Sequence, residues 1–255
     1  MSWASAWRLA VGTLTVIPVR PPSVVNRRVA GRAMLLAPVA VLPLAVLAAV
    51  LGRLAALTGW PSLLSGVVVV AVLALGTRAL HMDGLADTVD GLGSGRVRER
   101  ALEIMRRGDV GPMGVVALVL VLGAEAVAAG VLTSSWTGAA LLAVVIAVSR
   151  TSLLLACRVG VPAARPDGLG ATVAGSVQPT LAAVSGLLSA LVLVGTVTIV
   201  GRPWWIGALA VIIGGTVAYA MVRLAALRRL GGITGDVLGA VVELTLLALL
   251  LVVTL

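Results

Sequence analysis

Long apolar runs recur along this sequence and constrain its fold more than any other feature. The mean hydropathy is +1.15, and 60% of the residues are hydrophobic while only 11% are charged. Runs of about eighteen or more apolar residues are typical of helices that cross a lipid bilayer, where each helix satisfies its own backbone hydrogen bonds. The sequence therefore predicts an all-α, polytopic integral membrane protein that forms a single domain over residues 1–255.

About seven membrane-spanning helices fit into the chain at the length that a bilayer requires. Residues 1–19 are short for a span and place Trp3 and Trp7 on one helical face. This pattern predicts an N-terminal interfacial helix with its tryptophans at the level of the lipid headgroups. The predicted spans are 34–57, 63–80, 115–132, 139–157, 180–200, 206–222 and 237–255.

The basic residues, all nineteen of them arginines, lie mostly in alternate loops. Loops 20–32, 78–109, 158–165 and 223–229 hold nearly all of them, whereas the intervening turns hold Arg202, with Arg53 near the end of the first span. The positive-inside rule predicts that the Arg-rich loops face the cytoplasm from the cell membrane, where they can build one site. The net charge of +9 does not indicate nucleic-acid binding, because aromatics are only 3% and no basic stripe is interleaved with them.

The most polar stretch, residues 81–114, holds six of the ten acidic residues. Asp83, Asp87 and Asp90 follow a helical spacing that puts their carboxylates on one face, where they repel one another. A divalent cation removes that repulsion, and carboxylate oxygens suit Mg²⁺, which also bridges phosphates. The stretch therefore predicts a Mg²⁺-assisted phosphoryl-transfer site, with Glu103 or Asp109 completing it. The alternative is a solvated acidic face that neighbouring arginines neutralise.

Several basic side chains close to these acids are candidates for binding phosphate or for transferring a proton. His81, the only histidine, is a candidate general base or metal ligand, or else a hydrogen-bonding residue at a helix end. Arginines of the acidic stretch have forked donors that suit phosphates, although anchoring at the membrane surface is the alternative. These arginines are Arg96, Arg98, Arg100, Arg106 and Arg107.

Other polar residues stand out against their apolar surroundings. Glu125, Arg150 and Glu243 fall inside predicted spans, where an ionisable group usually faces the protein interior with a partner. Arg150 is therefore expected either to pair with one of the glutamates or to contact a phosphate. The loop GGITGD, residues 231–236, has backbone N–H groups that can cradle an anion, whereas Asp236 also suits the N-terminus of the last helix.

The motifs together resemble those of the cobalamin synthase family, the adenosylcobinamide-GDP ribazoletransferases. The resemblance extends over the whole chain, and its most specific parts are HMDGLADTVDG at 81–91 and GGITGDVLGAVVE at 231–243. Many members carry an aspartate where this chain has Arg107, with Asp109 close by; no family acid is expected at Glu125. The other matching pieces are LTVIPV at 14–19, RERALEIM at 98–105, VGPMG at 110–114, Ser149–Arg150 and GLG at 168–170.

The resemblance implies a Mg²⁺-dependent membrane transferase in the last steps of vitamin B12 assembly. It implies adenosylcobinamide-GDP and α-ribazole or its 5′-phosphate as substrates, GMP as a product, and other cobalamin-assembly enzymes as possible partners. Asp83, Asp87, Asp90 and His81 are then the expected catalytic residues. The expected substrate-binding residues are Arg96, Arg100, Arg150, Gly168, Gly170, Gly232, Thr234 and Asp236.

Two other functions are compatible with parts of the sequence. The acidic motif is similar to that of the CDP-alcohol phosphotransferases, but the later acids of those enzymes do not match this chain cleanly. A transporter would place its acids near the bilayer midplane on broken helices, whereas the acids here cluster in a loop region at the surface.

Overall fold

The structure, a computed structural model, describes residues 3–255, apart from the side chains of residues 225 and 226. Within that range the chain is helical, and its extended segments meet only in two isolated β-bridges. The helices are α1 (Trp3–Leu14), α2 (Arg27–Leu57), α3 (Ser62–Thr77), α4 (Leu80–Gly93), α5 (Arg98–Ile104), α6 (Pro112–Leu132), α7 (Trp136–Ser149), α8 (Ser152–Ala156), α9 (Gly168–Val173), α10 (Pro179–Ile199), α11 (Trp204–Met221, continued by the π-helical segment Val222–Arg229) and α12 (Gly235–Val253).

Six helical segments in the described part of the chain are long and apolar enough to cross a bilayer. They are α2, α6, α10, α12, the pair α7–α8, and α11 with its π-helical extension. The bent pair α3–α4 brings the number to seven if it is counted as one span. The prediction of an all-α polytopic membrane protein with about seven spans is confirmed.

A sharp bend separates the second predicted span from the acidic residues that follow it. The axes of α3 and α4 differ by 92°. The bend occurs at Arg78 and Ala79, whose φ angles of 57° and 54° are left-handed although neither residue is glycine. The Ala79 N–H donates to the Ala74 carbonyl at 2.7 Å, which closes the last turn of α3 in the manner of a left-handed helix cap. The acids therefore lie on a helix of their own.

Helix α4 lies across the N-terminal ends of α6 and α12. A Cβ atom at Gly84 would lie 2.6 Å from the Asp236 carbonyl oxygen, and one at Gly239 would lie 2.9 Å from the His81 carbonyl oxygen. Small residues let two helix backbones approach this closely, which is a common way for membrane helices to pack. The crossing brings the acids of α4 beside the first turn of α12.

The N-terminal helix is shorter than predicted and packs on the start of α2. It ends at Leu14, and it buries Ala6 and Ala10 completely while Trp3 remains 53% exposed. The Arg32 guanidinium lies 4.8 Å from the centre of the Trp3 ring. Helix α1 is not among the segments that could cross a membrane, which agrees with an interfacial helix.

The Arg-rich loops meet at one end of the bundle. Arg27 at the start of α2 donates to the Ala174 carbonyl at 3.4 Å, and Arg98 at the start of α5 donates to the Ala164 carbonyl at 3.1 Å. The opposite end carries exposed tryptophans, which are typical of a membrane–water interface: Trp60, Trp136, Trp204 and Trp205.

We expect Gly84→Ala to destabilise the protein because its methyl group would collide with the backbone of α12. Overpacking of this kind costs about 1–3 kcal/mol of unfolding free energy. The matched control is Gly123→Ala on α6, where an added Cβ meets nothing within 4 Å. Thermal unfolding in detergent should show a lower midpoint for Gly84→Ala and an unchanged or higher one for Gly123→Ala. Equal midpoints would contradict the close crossing of α4 and α12.

Candidate active site

A cavity of about 300 Å³ opens where α4, α9 and α12 begin, at the Arg-rich end of the bundle. Its wall combines acidic side chains, arginines, the GLG segment at the start of α9 and the end of the GGITGD loop. The main polar residues that line it are Asp83, Arg106, Arg165, Asp167, Thr234 and Asp236. Residues from four separate segments of the chain thus face one space.

Two acids of this cavity come from helices that meet at Gly84, and the third, Asp167, directly precedes α9. Asp83 is exposed on α4, and Asp236 lies in the first turn of α12. Asp87, one turn after Asp83, is 8% exposed and lies within electrostatic range of both. The carboxylates of Asp83, Asp87 and Asp236 repel one another, and a cation bound among them would relieve that repulsion.

Two arginines supply positive charge at the same place. Arg165 Nη1 lies 3.7 Å from Asp236 Oδ2, while its Nη2 donates to the Leu102 carbonyl at 2.7 Å. Burial lowers the pKa of the Arg165 guanidinium below its ordinary value, although the neighbouring Asp236 opposes that shift. Arginine nevertheless stays charged in proteins. Arg106 Nη2 donates to Asp167 Oδ1 at 2.8 Å, at the exposed rim.

The loop that precedes GLG, residues 158–167, is hydrogen-bonded to the GGITGD loop, residues 231–236, beside the acids. The Ala164 N–H donates to the Ile233 carbonyl at 2.9 Å, and the Ile233 N–H donates to the Pro162 carbonyl at 2.9 Å. Thr234 caps α12 by accepting from the Val237 N–H at 3.2 Å. The predicted binding residues Gly168, Gly170 and Thr234 line the cavity, whereas Gly232 packs against the backbone of 162–164.

Asp90 faces the start of α6 and not the cavity that Asp83 lines. Its Oδ2 accepts from the Gly111 N–H at 2.7 Å, and its Oδ1 accepts from the Gly114 N–H at 2.9 Å. Both oxygens therefore satisfy N–H groups at the start of α6, which have no partner inside their own helix. Asp90 does not line the cavity. Asp90 thus fixes α4 to α6, and a metal ion shared with Asp83 and Asp87 stays a prediction.

Four further candidates lie outside the cavity. Glu103 is paired with Arg100 at 2.5 Å and with Arg107 at 3.2 Å, and these hydrogen bonds hold the pKa of Glu103 below its ordinary value. Asp109 and Arg96 are exposed and also stand apart from the cavity wall. Glu103 and Arg100 thus match the alternative of an acidic surface neutralised by arginines.

His81 and Arg150 face the interior of the bundle instead of the cavity. Their exposures are 3% and 1%, and His81 Nδ1 lies 3.9 Å from Glu243 Oε1. Arg150 Nη1 donates to the Ser149 hydroxyl at 2.8 Å, and its charge lies within range of Glu125 and Glu243. Arg150 thus faces the protein interior, as expected for an ionisable group in a span, and does not line the cavity.

Sequence analysis missed Arg165 and Asp167, which both line the cavity. A signal for them was present, because they directly precede GLG in a loop predicted to lie on the same side as the acids. Arginine and aspartate are common in such loops, so their contacts with α5 and α12 only become apparent in the folded chain.

The donor groups of the cavity suit a Mg²⁺ ion that is held jointly by protein carboxylates and substrate phosphates. In the described part of the chain no three His, Cys, Asp or Glu side chains are arranged to hold an ion unaided. Mg²⁺ is usually held by one or two carboxylates together with substrate phosphates and water. Asp83 and Asp236, with Asp87 behind them, provide such a donor set beside two arginines.

We expect Asp90→Ala to destabilise the fold, because it leaves the Gly111 and Gly114 N–H groups without their acceptor. Each unsatisfied buried group costs about 1–3 kcal/mol. Asp90→Asn keeps one acceptor oxygen and should lose less. The control Asp109→Ala removes an exposed acid and should change the unfolding free energy by less than ~0.5 kcal/mol. Unfolding midpoints in detergent that are the same for Asp90→Ala and Asp109→Ala would contradict this role.

Comparison with known proteins is consistent with the resemblance noted in the sequence. The profile of the cobalamin-5-phosphate synthase family matches residues 6–254. An adenosylcobinamide-GDP ribazoletransferase of Nocardioides sp. is 45% identical over 96% of both chains. Proteins of the same name from Frankia casuarinae and Bradyrhizobium diazoefficiens are 43% and 35% identical over 96% of this chain and 92% and 91% of theirs. No solved structure matches the chain. The chain belongs to the cobalamin-5-phosphate synthase family.

Proposed function

We propose that this chain is an adenosylcobinamide-GDP ribazoletransferase. It joins adenosylcobinamide-GDP to α-ribazole or its 5′-phosphate, and the products are adenosylcobalamin or its 5′-phosphate and GMP. Besides family membership, one observation supports this proposal: acids of α4 and α12 and arginines of two loops face one cavity at one end of a membrane-embedded bundle. A pyrophosphate substrate requires such a mixture of charges.

The reaction exchanges one phosphorus–oxygen bond for another. A hydroxyl of α-ribazole attacks the phosphorus that carries cobinamide, and the bond from that phosphorus to the oxygen of GMP breaks. The hydroxyl proton must leave, and a carboxylate of the cavity accepts it. Catalysis of this kind depends on positioning and on neutralising charge at the phosphates.

The side chains divide these tasks by charge. Asp83 and Asp236, with Asp87, would hold Mg²⁺, which would supply positive charge that neutralises the phosphates. Arg165 and Arg106 bind phosphate oxygens through their forked donors. The first turn of α12 adds the partial positive charge of a helix N-terminus to the same cavity.

The size of the cavity suggests which part of the substrate enters it. A volume of about 300 Å³ is at the lower end of the range for small-molecule sites. It suits the pyrophosphate and its immediate neighbours, while the corrin ring stays outside, over the loops at the Arg-rich end. The same end faces the cytoplasm from the cell membrane, since it carries most of the arginines.

We expect purified protein in lipid nanodiscs to convert adenosylcobinamide-GDP and α-ribazole into adenosylcobalamin and GMP when Mg²⁺ is present. Asp83→Asn and Asp236→Asn should each lower kcat roughly 10²–10³-fold, as loss of a transition-state charge contact does. The control Glu99→Gln, which removes an exposed acid on α5, should leave kcat unchanged. Product chromatography measures the turnover, and release of CMP from a CDP-alcohol would indicate a phospholipid enzyme instead. Near-normal rates in both aspartate variants would exclude the proposed site.

We expect the Arg-rich end to be labelled only from inside the cell. The natural Cys157 is fully buried, so background labelling is low. Val97→Cys, at the 71% exposed start of α5, should react with an impermeant maleimide only after the cells are opened. Thr58→Cys, at the exposed opposite end, should react in intact cells. The reverse pattern would place the cavity outside.

A further inference from the structure

A second cavity, of about 310 Å³, lies among α8, α10, α11 and α12. None of its lining residues belongs to the wall of the charged cavity described above. Its wall is mostly apolar, and many of the residues that form it are alanine or glycine. The proposed transferase chemistry does not use this space, so its occupant has to be inferred from its own chemistry.

One face of α10 forms a long wall of this cavity. Pro179, Ala182, Gly186 and Ser189 line it at intervals of three or four residues, which is the spacing of a single helical face. The helix rises about 15 Å between the first and the last of them. The cavity is therefore a slot along the first half of α10, and we call it the α10 slot.

The α10 slot opens toward the surroundings of the bundle between α10 and α11. Ala183 of α10 and Gly215 of α11 both line the slot and are exposed. An added Cβ atom at Gly186 or Gly215 would meet nothing within 4 Å. Both helices are long and apolar enough to cross a bilayer, so the opening faces acyl chains. An empty apolar slot at this depth would leave its walls without packing partners.

Arg158 gives the α10 slot a charged end. It is the only charged residue that the structure places in the wall of the slot. Its backbone pairs with Val177, directly before α10, at the Arg-rich end of the bundle. Its side chain has no hydrogen bond or ion pair with any residue that the structure describes. A guanidinium at the level of the lipid headgroups suits a phosphate, to which it can donate two parallel hydrogen bonds.

One buried hydroxyl of the α10 slot also lacks a partner. Thr245 of α12 lines the slot and is 5% exposed, and its hydroxyl has no hydrogen-bond partner among the described residues. Thr151 and Ser189 differ from it, because their hydroxyls bond to each other at 2.8 Å. A buried hydroxyl is stabilised by an acceptor. A ligand that carries ester oxygens as well as a hydrocarbon chain therefore fits the slot better than a plain hydrocarbon.

We propose that the α10 slot binds one acyl chain of an anionic phospholipid whose phosphate pairs with Arg158. The lipid fills the gap between α10 and α11 and takes no part in the chemical reaction. This site goes beyond the proposed transferase function, and its occupancy is measured without turnover.

The charged end of the site is tested by native mass spectrometry of the purified full chain in detergent. The protein is titrated with phosphatidylglycerol or with phosphatidylcholine of the same acyl chains. The parent should hold one phosphatidylglycerol about fivefold more tightly, which is the contribution of one arginine near an anionic headgroup. Arg158→Gln should remove this preference, Arg158→Lys should keep it, and the control Arg20→Gln, at an exposed arginine, should leave it unchanged. Equal affinities in the parent, or an unaltered preference in Arg158→Gln, would overturn the proposal.

The apolar part of the site is tested by filling it. Gly186→Leu places a side chain in the α10 slot and should abolish binding of both lipids. The matched control is Gly195→Leu on the same helix, where an added Cβ also meets nothing within 4 Å but does not line the slot. Leucine is favourable in a helix, so both variants should fold, and their unfolding midpoints without added lipid verify this. Lipid that stays bound to folded Gly186→Leu would contradict the site.

Soluble competitors distinguish the lipid from other ligands of similar chemistry. Neither glycerol 3-phosphate nor α-ribazole should displace phosphatidylglycerol from the parent protein, because neither carries an acyl chain. Displacement by glycerol 3-phosphate would indicate a site for a free anion, and displacement by α-ribazole would indicate a substrate site. Either result would overturn the proposed lipid site, whereas an inactive transferase would leave the lipid measurements unaffected.

Discussion

The contact between α4 and α12 at Gly84 and Gly239 is the constraint on which the rest of the site depends. Neither helix alone carries a complete set of charges, since Asp83 and Asp87 lie on α4 and Asp236 lies on α12. Any side chain at Gly84 would separate the two backbones and move Asp236 away from Asp83. The bend at Arg78 and Ala79 is needed as well, because a straight continuation of α3 would carry the acids away from the N-terminal end of α12. Packing and chemistry are thus set by the same few residues.

Arginine holds the surrounding segments together in a way that lysine would not. Arg98 and Arg165 connect the α5 region and the 158–167 loop in both directions, because each donates to a backbone carbonyl of the other segment. A planar guanidinium can donate to a carbonyl and still face a carboxylate, as Arg165 does with Asp236. The arginines therefore concentrate positive charge at one end of the bundle and also assemble the cavity.

The sequence was sufficient for the fold class, the approximate spans and the grouping of the Arg-rich loops, because hydrophobicity and arginine distribution act over whole segments. It was also sufficient to select Asp83, Asp236 and the GLG loop as candidates. It did not predict the role of Asp90, since helical spacing places an acid on a face but does not say which neighbour occupies that face. It also did not show that Glu103 pairs on the surface with the arginines at i−3 and i+4. The interior location of His81 depended on the 92° bend, which begins at two non-glycine residues and has no clear sequence signal.

The surroundings of the acidic helix α4 differ along its length, and this difference helps to explain how a charged site exists at the end of an apolar bundle. Near its C-terminal end, Asp90 accepts hydrogen bonds from two backbone N–H groups at the start of α6. These bonds and the helix N-terminus stabilise its negative charge. At its N-terminal end, the buried His81 lies with its Nδ1 3.9 Å from Glu243 Oε1 of α12. Only the central acids, Asp83 and Asp87, are left without a fixed positive partner on α4 itself. Asp83 lines the cavity with Asp87 one turn behind it, and a cation with its phosphates would complete the electrostatic balance there.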